Sequence, residues 1–350
     1  MAYSAIDKAA SFHSDNIWDG TGVSQTISCG FQPDMTWVKV RNQAYSNRVA
    51  DSVRGYTKTL ITNSTAAENA SAGTVMSGTT ADGFTVVSDS GSNESGNNYV
   101  GWSWKAGTTT GLSGGTITPT AYSFNTTAAQ SVIAYTGNGV AGATIPHGLG
   151  VIPTMIIVKC LSTTGSWPLY HAALGATKYL ELNTTSAEQT GTTRWNDTAP
   201  TSTLVSLGTT ANVNGDTLTY VAYCFADVKG YSRMGSYEGS GDADGPFVYT
   251  GFKPSFVMIK NSSSVLNWTT RDNARDTFNP GYNYIYPNLN NAGTDIGPPA
   301  TSGSYPVDFY STGFKINNTD TKVNEAQSTF VYAAFGQTIV GTNGVVATAR

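Results

Sequence analysis

The sequence predicts an all-β chain of three tandem β-sandwich or jelly-roll-like domains sharing one topology, and three observations carry that prediction. Charged residues make up only 12% of the chain while glycine occurs 38 times, a balance that suits short strands joined by tight turns and is too poor in Glu, Lys and Arg for long solvent-facing helices. Apolar runs of strand length are bounded by Gly, Asn, Asp and Ser, and no segment of useful length carries a 3.6-residue period. The chain also repeats itself three times.

The repeat is a fixed order of features. Each copy opens at a Gly-rich turn: IWDGTG at 17–22, AYTGNG at 134–139 and SYEGSG at 236–241. A strand headed by glycine and proline follows, and a lysine stands at the same interval beyond each proline: Pro33 and Lys39, Pro153 and Lys159, Pro254 and Lys260. Both faces of that strand are largely apolar (Trp37 and Val38; Ile156 and Ile157; Val257 and Met258), which predicts a central strand covered on both sides. Proline is tolerated at the first position of such a strand. The copies close on NNYVGWSWKAG, LTYVAYCFADV and STFVYAAFGQT. There Val100, Trp102 and Trp104 share one face, as do Val221, Tyr223 and Phe225, then Val331, Ala333 and Phe335. The proline-to-proline intervals of 120 and 101 residues match domains rather than solenoid units.

In chain order, residues 1–105 form the first domain, 106–121 a Gly/Thr-rich linker expected to be flexible, 122–227 the second domain, 228–340 the third, and 341–350 a C-terminal tail.

Composition excludes several functions. A net charge of -4 without a basic run gives no footprint for nucleic acid. No apolar stretch approaches the length of a membrane span and no signal peptide is visible, so synthesis in the cytoplasm without membrane insertion is expected. Cys29, Cys160 and Cys224 form no C-x-x-C pair and read as small buried hydrophobes.

Catalytic, cofactor and metal residues are not expected, and the chain reads as a non-enzyme. His13, His147 and His171 occupy no recurring place and no catalytic motif, which suits satisfied turn or surface histidines. The acids lie scattered beside Gly, Ser or Asn, where turn capping explains them. Asp242 and Asp244 in SGDADG are placed like the start of a calcium loop, yet the closing glutamate is missing. The recurring lysines are expected to snorkel from a strand end and protect an edge. Trp37, Trp102 and Trp104 fit core positions. By contrast, Trp167, Trp195, Trp268, Tyr282, Tyr284 and Tyr286 lie in mid-copy segments that differ between copies, and they form the candidate exposed contact surface.

Two of these segments, TGNGVAGATIPHGLGVIPTMIIVK from Thr136 and NNYVGWSWKAG from Asn97, resemble a repeated domain of structural proteins from marine tailed phages, including those of cyanobacteria and Pelagibacter-like hosts. The third copy departs from the pattern, with PFVYTGFKP and AAFGQT in the corresponding places. The resemblance implies a virion protein with no catalytic residues to carry over: a tail fibre or tail-associated adhesin contacting the host surface, or alternatively a capsid decoration or head-fibre protein. A homo-oligomer contacting other virion proteins and a host-surface glycan or protein is the matching expectation for partners.

Overall fold

The computed structural model describes residues 6–68, 75–293 and 306–337, and the chain is all-β, with several antiparallel sheets. Its helices among the described residues are single turns: Ala9–Ser11, Thr192–Trp195 and Thr321–Asn324. The 341–350 tail lies outside the described residues.

Three main sheets share one order of strands. In the first unit His13–Asp19, Asn98–Trp104, Met35–Val40, Arg48–Asp51 and Leu60–Ile61 lie side by side. In the second, Gln130–Thr136, Thr219–Phe225, Met155–Cys160, Pro168–His171 and Lys178–Glu181 take the same places, with Ala121–Asn125 and Gln189–Thr190 added at the edges. In the third, Ser232–Glu238, Thr329–Gln337, Lys253–Asn261 and Thr269–Asp272 follow that order, and Ile285 bridged to Thr270 occupies the fifth place. Registers agree as well. Trp37 faces Trp102, Ile157 faces Tyr223, and Met258 faces Ala333.

The outer face of each main sheet packs on a smaller one: Gln25–Ser28 with Gly83–Val86 and Met76–Thr80, Ala143–Pro146 with Leu204–Leu207, and Phe247–Tyr249 with Gly313–Ile316 and Val307–Tyr310. Each such sandwich encloses its own apolar cluster, centred on Val38 and Phe84, on Ile156 and Val205, and on Val257 and Phe314. Alternation along the proline-headed strands sends Val38, Ile156 and Val257 outward into these clusters and Trp37, Ile157 and Met258 the other way.

Those inward faces meet one another. One core unites Met35, Trp37, Trp104, Met155, Phe225, Phe256 and Phe335 from all three units. At its centre the equivalent rings of Trp104, Phe225 and Phe335 form a triangle with centroid separations of 6.0, 5.6 and 5.6 Å, so an approximate threefold axis runs through it. The units are therefore not independent beads. What covers the second face of each central strand is the other two units.

Backbone and side-chain contacts around the axis repeat cyclically. Glu68 N–H donates to Leu161 O, Glu188 N–H to Ser262 O and Gly293 N–H to Arg41 O, at 3.0, 2.8 and 2.6 Å. Each bond ties the mid-copy loop of one unit to the end of the proline-headed strand of another. The recurring lysines sit at the same junctions and are fully buried at 0% exposure, so they do not snorkel. Lys39 donates to Val40 O and reaches Asn290 O of the third unit, Lys159 donates to Gly165 O and Thr65 O of the first, and Lys260 donates to Asn261 O and Thr185 O of the second. An ammonium with three donors can tie together carbonyls that irregular loops leave unpaired. Burial pulls Lys159 and Lys260 down to about 8, and burial together with the Arg275 charge pulls Lys39 down to about 7.

The segment 106–121 is not a free linker. Thr116 and Ile117 donate to Thr144 O, Thr108 bridges Phe124, and Ile117 is buried in the second unit's outer cluster. It is a strap across the second small sheet.

Candidate functional site

A second repeated device was missed at the level of sequence. Asn93, Asn214 and Asn324 are each 0% exposed and lie six residues before Tyr99, Tyr220 and Phe330. Their side-chain oxygens accept from the backbone of Thr21, Asn138 and Ser240, and their amides donate to Val23 O, Val140 O and Asp242 O. Each thereby clamps the opening Gly-rich turn. A Cβ on Gly20, Gly137 or Gly239 would lie 2.0–2.4 Å from a carbonyl oxygen of the facing loop, which is why the turn must begin with glycine. The N-x5-aromatic spacing was the signal available.

The aromatic residues expected to be exposed are not. Trp167 and Trp268 are buried at 1% and 2% in the shared core. Their indole N–H groups donate to Ser64 O of the first unit and Glu181 O of the second, at 3.1 and 3.2 Å. The first unit places Asn47 there, which donates to Tyr286 O and Leu289 O of the third. Trp195 is buried on the turn Thr192–Trp195 and packs edge-on to Tyr170. Tyr284 is buried beneath the Arg271 guanidinium, while Tyr282 and Tyr286 are half-buried. Trp167 and Trp268 thus hold units together, because the loops carrying them dock on a neighbour, whereas Trp195 and Tyr284 pack within their own units.

The histidines are satisfied, yet all three are buried. His13 bonds Ser103 O and Asp15 and packs on Trp104 and Phe335. In His147 and His171, Nδ1 accepts the backbone N–H of Leu149 and Ala173, while Nε2 donates to Thr201 O and Tyr332 O. Such pairing holds the ring in its neutral form, and burial pulls both values down to about 4. Asp244 is exposed and paired with Lys315, and no group of three metal-ligating side chains occurs near Asp242 or elsewhere among the described residues.

Two surface features are the largest polar groove and the main exposed aromatic cluster among the described residues. A polar groove of about 740 Å³ runs between the first unit and the strap, lined by Gln32, Asp34, Ser52, Lys105, Thr120 and Tyr122. Asp34 is already engaged there by Ser52 Oγ and Ala106 N–H. The other feature is an aromatic strip on the outer face of the third small sheet. Phe247, Tyr249 and Tyr310 are exposed by 47%, 55% and 41%, whereas Val248 between them points inward at 5%. Tyr249 and Tyr310 flank Gly313 in register on its two sides. The Phe247 ring lies over Gly313, where a Cβ would meet it at 2.9 Å, and touches Tyr310 edge-on at 6.0 Å.

Comparison with known proteins gives one match: the profile of a domain of unknown function, DUF7483, aligns with residues 8–338, nearly the whole chain and all three units. No curated protein and no solved structure matches. No helix among the described residues is long and apolar enough to cross a membrane.

Proposed function

The chain belongs to the DUF7483 family, and from that premise we propose that it is a non-catalytic virion component of a tailed phage, most simply a tail fibre or tail-associated adhesin that touches the host surface. The observation that carries this reading is the closed ring of three units on one axis. Virion appendages are built on symmetry axes, and a single chain with internal threefold order can seat on a threefold partner while its units diverge outside. The sequence resemblance to phage structural repeats, carried by motifs of the first and second units, supports the same reading.

The interior is organised for rigidity. The buried lysines and asparagines of the repeat, and His147 and His171 beside them, are engaged with backbone groups. The capsid-decoration alternative uses the same symmetric body. What favours the adhesin is that, among the described residues, exposed aromatics form a strip on the third unit, while the first shows the single Tyr45; a contact surface would look so, and a lattice contact would recur on three equivalent faces.

The test is immunogold labelling of intact particles with antibody to the purified chain, paired with competition of adsorption by the free protein. Tail labelling with blocked adsorption is the expected result. Head labelling would shift the assignment to capsid decoration, and unlabelled particles would overturn the virion reading.

A further inference from the structure

We infer that the strip formed by Phe247, Tyr249 and Tyr310 on the third unit is a glycan-binding platform that takes a neutral oligosaccharide through the apolar faces of its sugar rings. The three units provide an internal comparison. Val248 of the third unit pairs with Phe314 as Ile27 of the first pairs with Phe84 and as Ile145 of the second pairs with Val205. Phe247 and Tyr249 thus stand where the first unit has Thr26 and Ser28 and the second has Thr144 and Pro146. In the first unit that face is polar and exposed, with Thr26 and Thr85 hydroxyls in contact. In the second, the strap covers it, with Thr116 and Thr144 exchanging hydrogen bonds. Only in the third do rings replace small polar groups on an open face, so the fold itself does not call for them.

Geometry and charge select the occupant. Tyr249, Phe247 over Gly313, and Tyr310 make one continuous strip across three strands, about 10 Å wide at the usual strand spacing. The Phe247 ring lies on the sheet over Gly313, a glycine that the backbone itself demands, since a Cβ there would stand 2.1 Å from Val248 O, as one on Gly83 of the first unit would stand 1.9 Å from Ile27 O. Beside it Lys315 is paired with Asp244, while Asp308 accepts only from neutral donors, Gly281 N–H and the Asn317 amide, which leaves two carboxylates against one ammonium. That excess of negative charge disfavours acidic glycans and leaves neutral ones. The phenolic hydroxyls of Tyr249 and Tyr310 add hydrogen-bonding groups at its two ends. A second copy of the chain fits poorly, because three half-exposed rings of about 200 Å² each offer roughly 300 Å², well under the ~800 Å² per partner of a stable interface. Sugar rings, which need only a stacking surface and a few hydroxyl partners, match that area.

The inference deepens the adhesin reading but is tested on the isolated chain. Purified protein is titrated with cellohexaose, maltohexaose and chitohexaose, with heparin as the charged comparison, by saturation-transfer NMR and calorimetry. The variant F247T/Y249S gives the third unit the residues of the first, and Y310A removes the remaining ring. We expect at least one neutral hexasaccharide to bind and its affinity to fall about tenfold or more in F247T/Y249S and in Y310A, with a single cooperative melt retained in both variants. No binding of any neutral hexasaccharide, binding of heparin alone, or equal binding by the variants overturns the proposal. So does a concentration-dependent dimer in sedimentation that F247T/Y249S abolishes, since the occupant would then be a second copy. Failure here with labelled tails would leave the virion reading standing, and sugar binding with unlabelled particles would do the reverse.

Discussion

The phenol of Tyr223 in the second unit donates a 2.6 Å hydrogen bond to the carboxylate of Asp51 in the first. Trp102 of the first unit does the same to Asp272 of the third, at 3.1 Å. Asp51 and Asp272 each also accept from the backbone N–H and Nε of the arginine three residues on, Arg54 and Arg275. The junction of the second and third units breaks the pattern on both sides at once: the acid becomes His171 of the second unit, and the donor position of the third becomes Ala333. His171 compensates by donating to the neighbouring carbonyl of Tyr332. A polar pair buried between units is thus either complete or replaced as a pair, as expected where half of one would be left unsatisfied.

Replacing Asp51 by Asn keeps the shape but leaves the buried Arg54 without its nearest charge partner, and the expected loss is about 3–5 kcal/mol. Tyr223→Phe removes one bond to a carboxylate and should cost about 1.5–3 kcal/mol. Urea unfolding of the two variants measures both. An unchanged midpoint in Asp51→Asn would contradict the role given to the pair.

Asn214 closes the second unit's Gly-rich turn with bonds to Asn138 N–H, Val140 O and Gly208 O. Asn214→Leu is nearly isosteric and strands those groups, so a loss of about 2–4 kcal/mol is expected. Asn214→Asp should cost at least as much, because a buried carboxylate would face the Val140 and Gly208 carbonyl oxygens with no cation beside it. Thermal melts order the three proteins, and equal stability of Asn214→Leu and the parent would refute the clamp.

Much of this was legible in the sequence. The repeat, the proline-headed strands covered on both faces and the shared face of Trp102 and Trp104 follow from spacing and alternation, which are local. What covers those faces was not legible, since a neighbour some hundred residues away leaves no periodic trace in the segment it buries. For that reason Trp167 and Trp268, set among Gly, Ser and Asn, look like loop aromatics of a lone domain and are interface residues instead. The lysines follow the same logic: a strand-end lysine snorkels only if its end meets water, and here it meets another unit's loop. The aromatic strip was half visible. The run PFVYTGF shows Phe247 and Tyr249 on one face of a strand, but with Val248 on the other the sequence does not say which side is wet.

Acid should destabilise the protein through two histidines. His147 and His171 fall from the ordinary 6.5 to about 4 in the folded chain through burial, and protonation would set a second N–H against the backbone donors of Leu149 and Ala173. Between about 4 and 6.5 the unfolded chain therefore binds more protons than the folded one. The stabilisation is fully present above 6.5 and lost as pH falls through about 4, at roughly 3 kcal/mol for each ring. His171→Gln should flatten the acid limb of a stability-versus-pH curve by about half. If that variant and the parent lose stability in parallel over this window, the assignment of the effect to His171 fails.

Because the units share one core, they should unfold together. A unit freed from the others would expose Met155, Ile157, Val221, Tyr223 and Phe225, all at most 3% exposed in the assembled chain, and would lose its partners for Lys159 and Trp167 at Thr65 and Ser64. Removing apolar contacts on that scale outweighs the net stability of a domain of this size. The fragment 122–227 expressed alone is therefore expected to show no cooperative melt. The intact chain should give one transition that coincides by tryptophan fluorescence and far-ultraviolet dichroism. Trp104→Ala, which opens a hole in the central triangle, should lower the whole transition by about 3–5 kcal/mol rather than detach the first unit. Separate transitions in the intact chain, or a Trp104→Ala melt that splits into an early first-unit step and an unshifted remainder, would show that the outer sandwich clusters suffice for each unit and that the axial core only joins them.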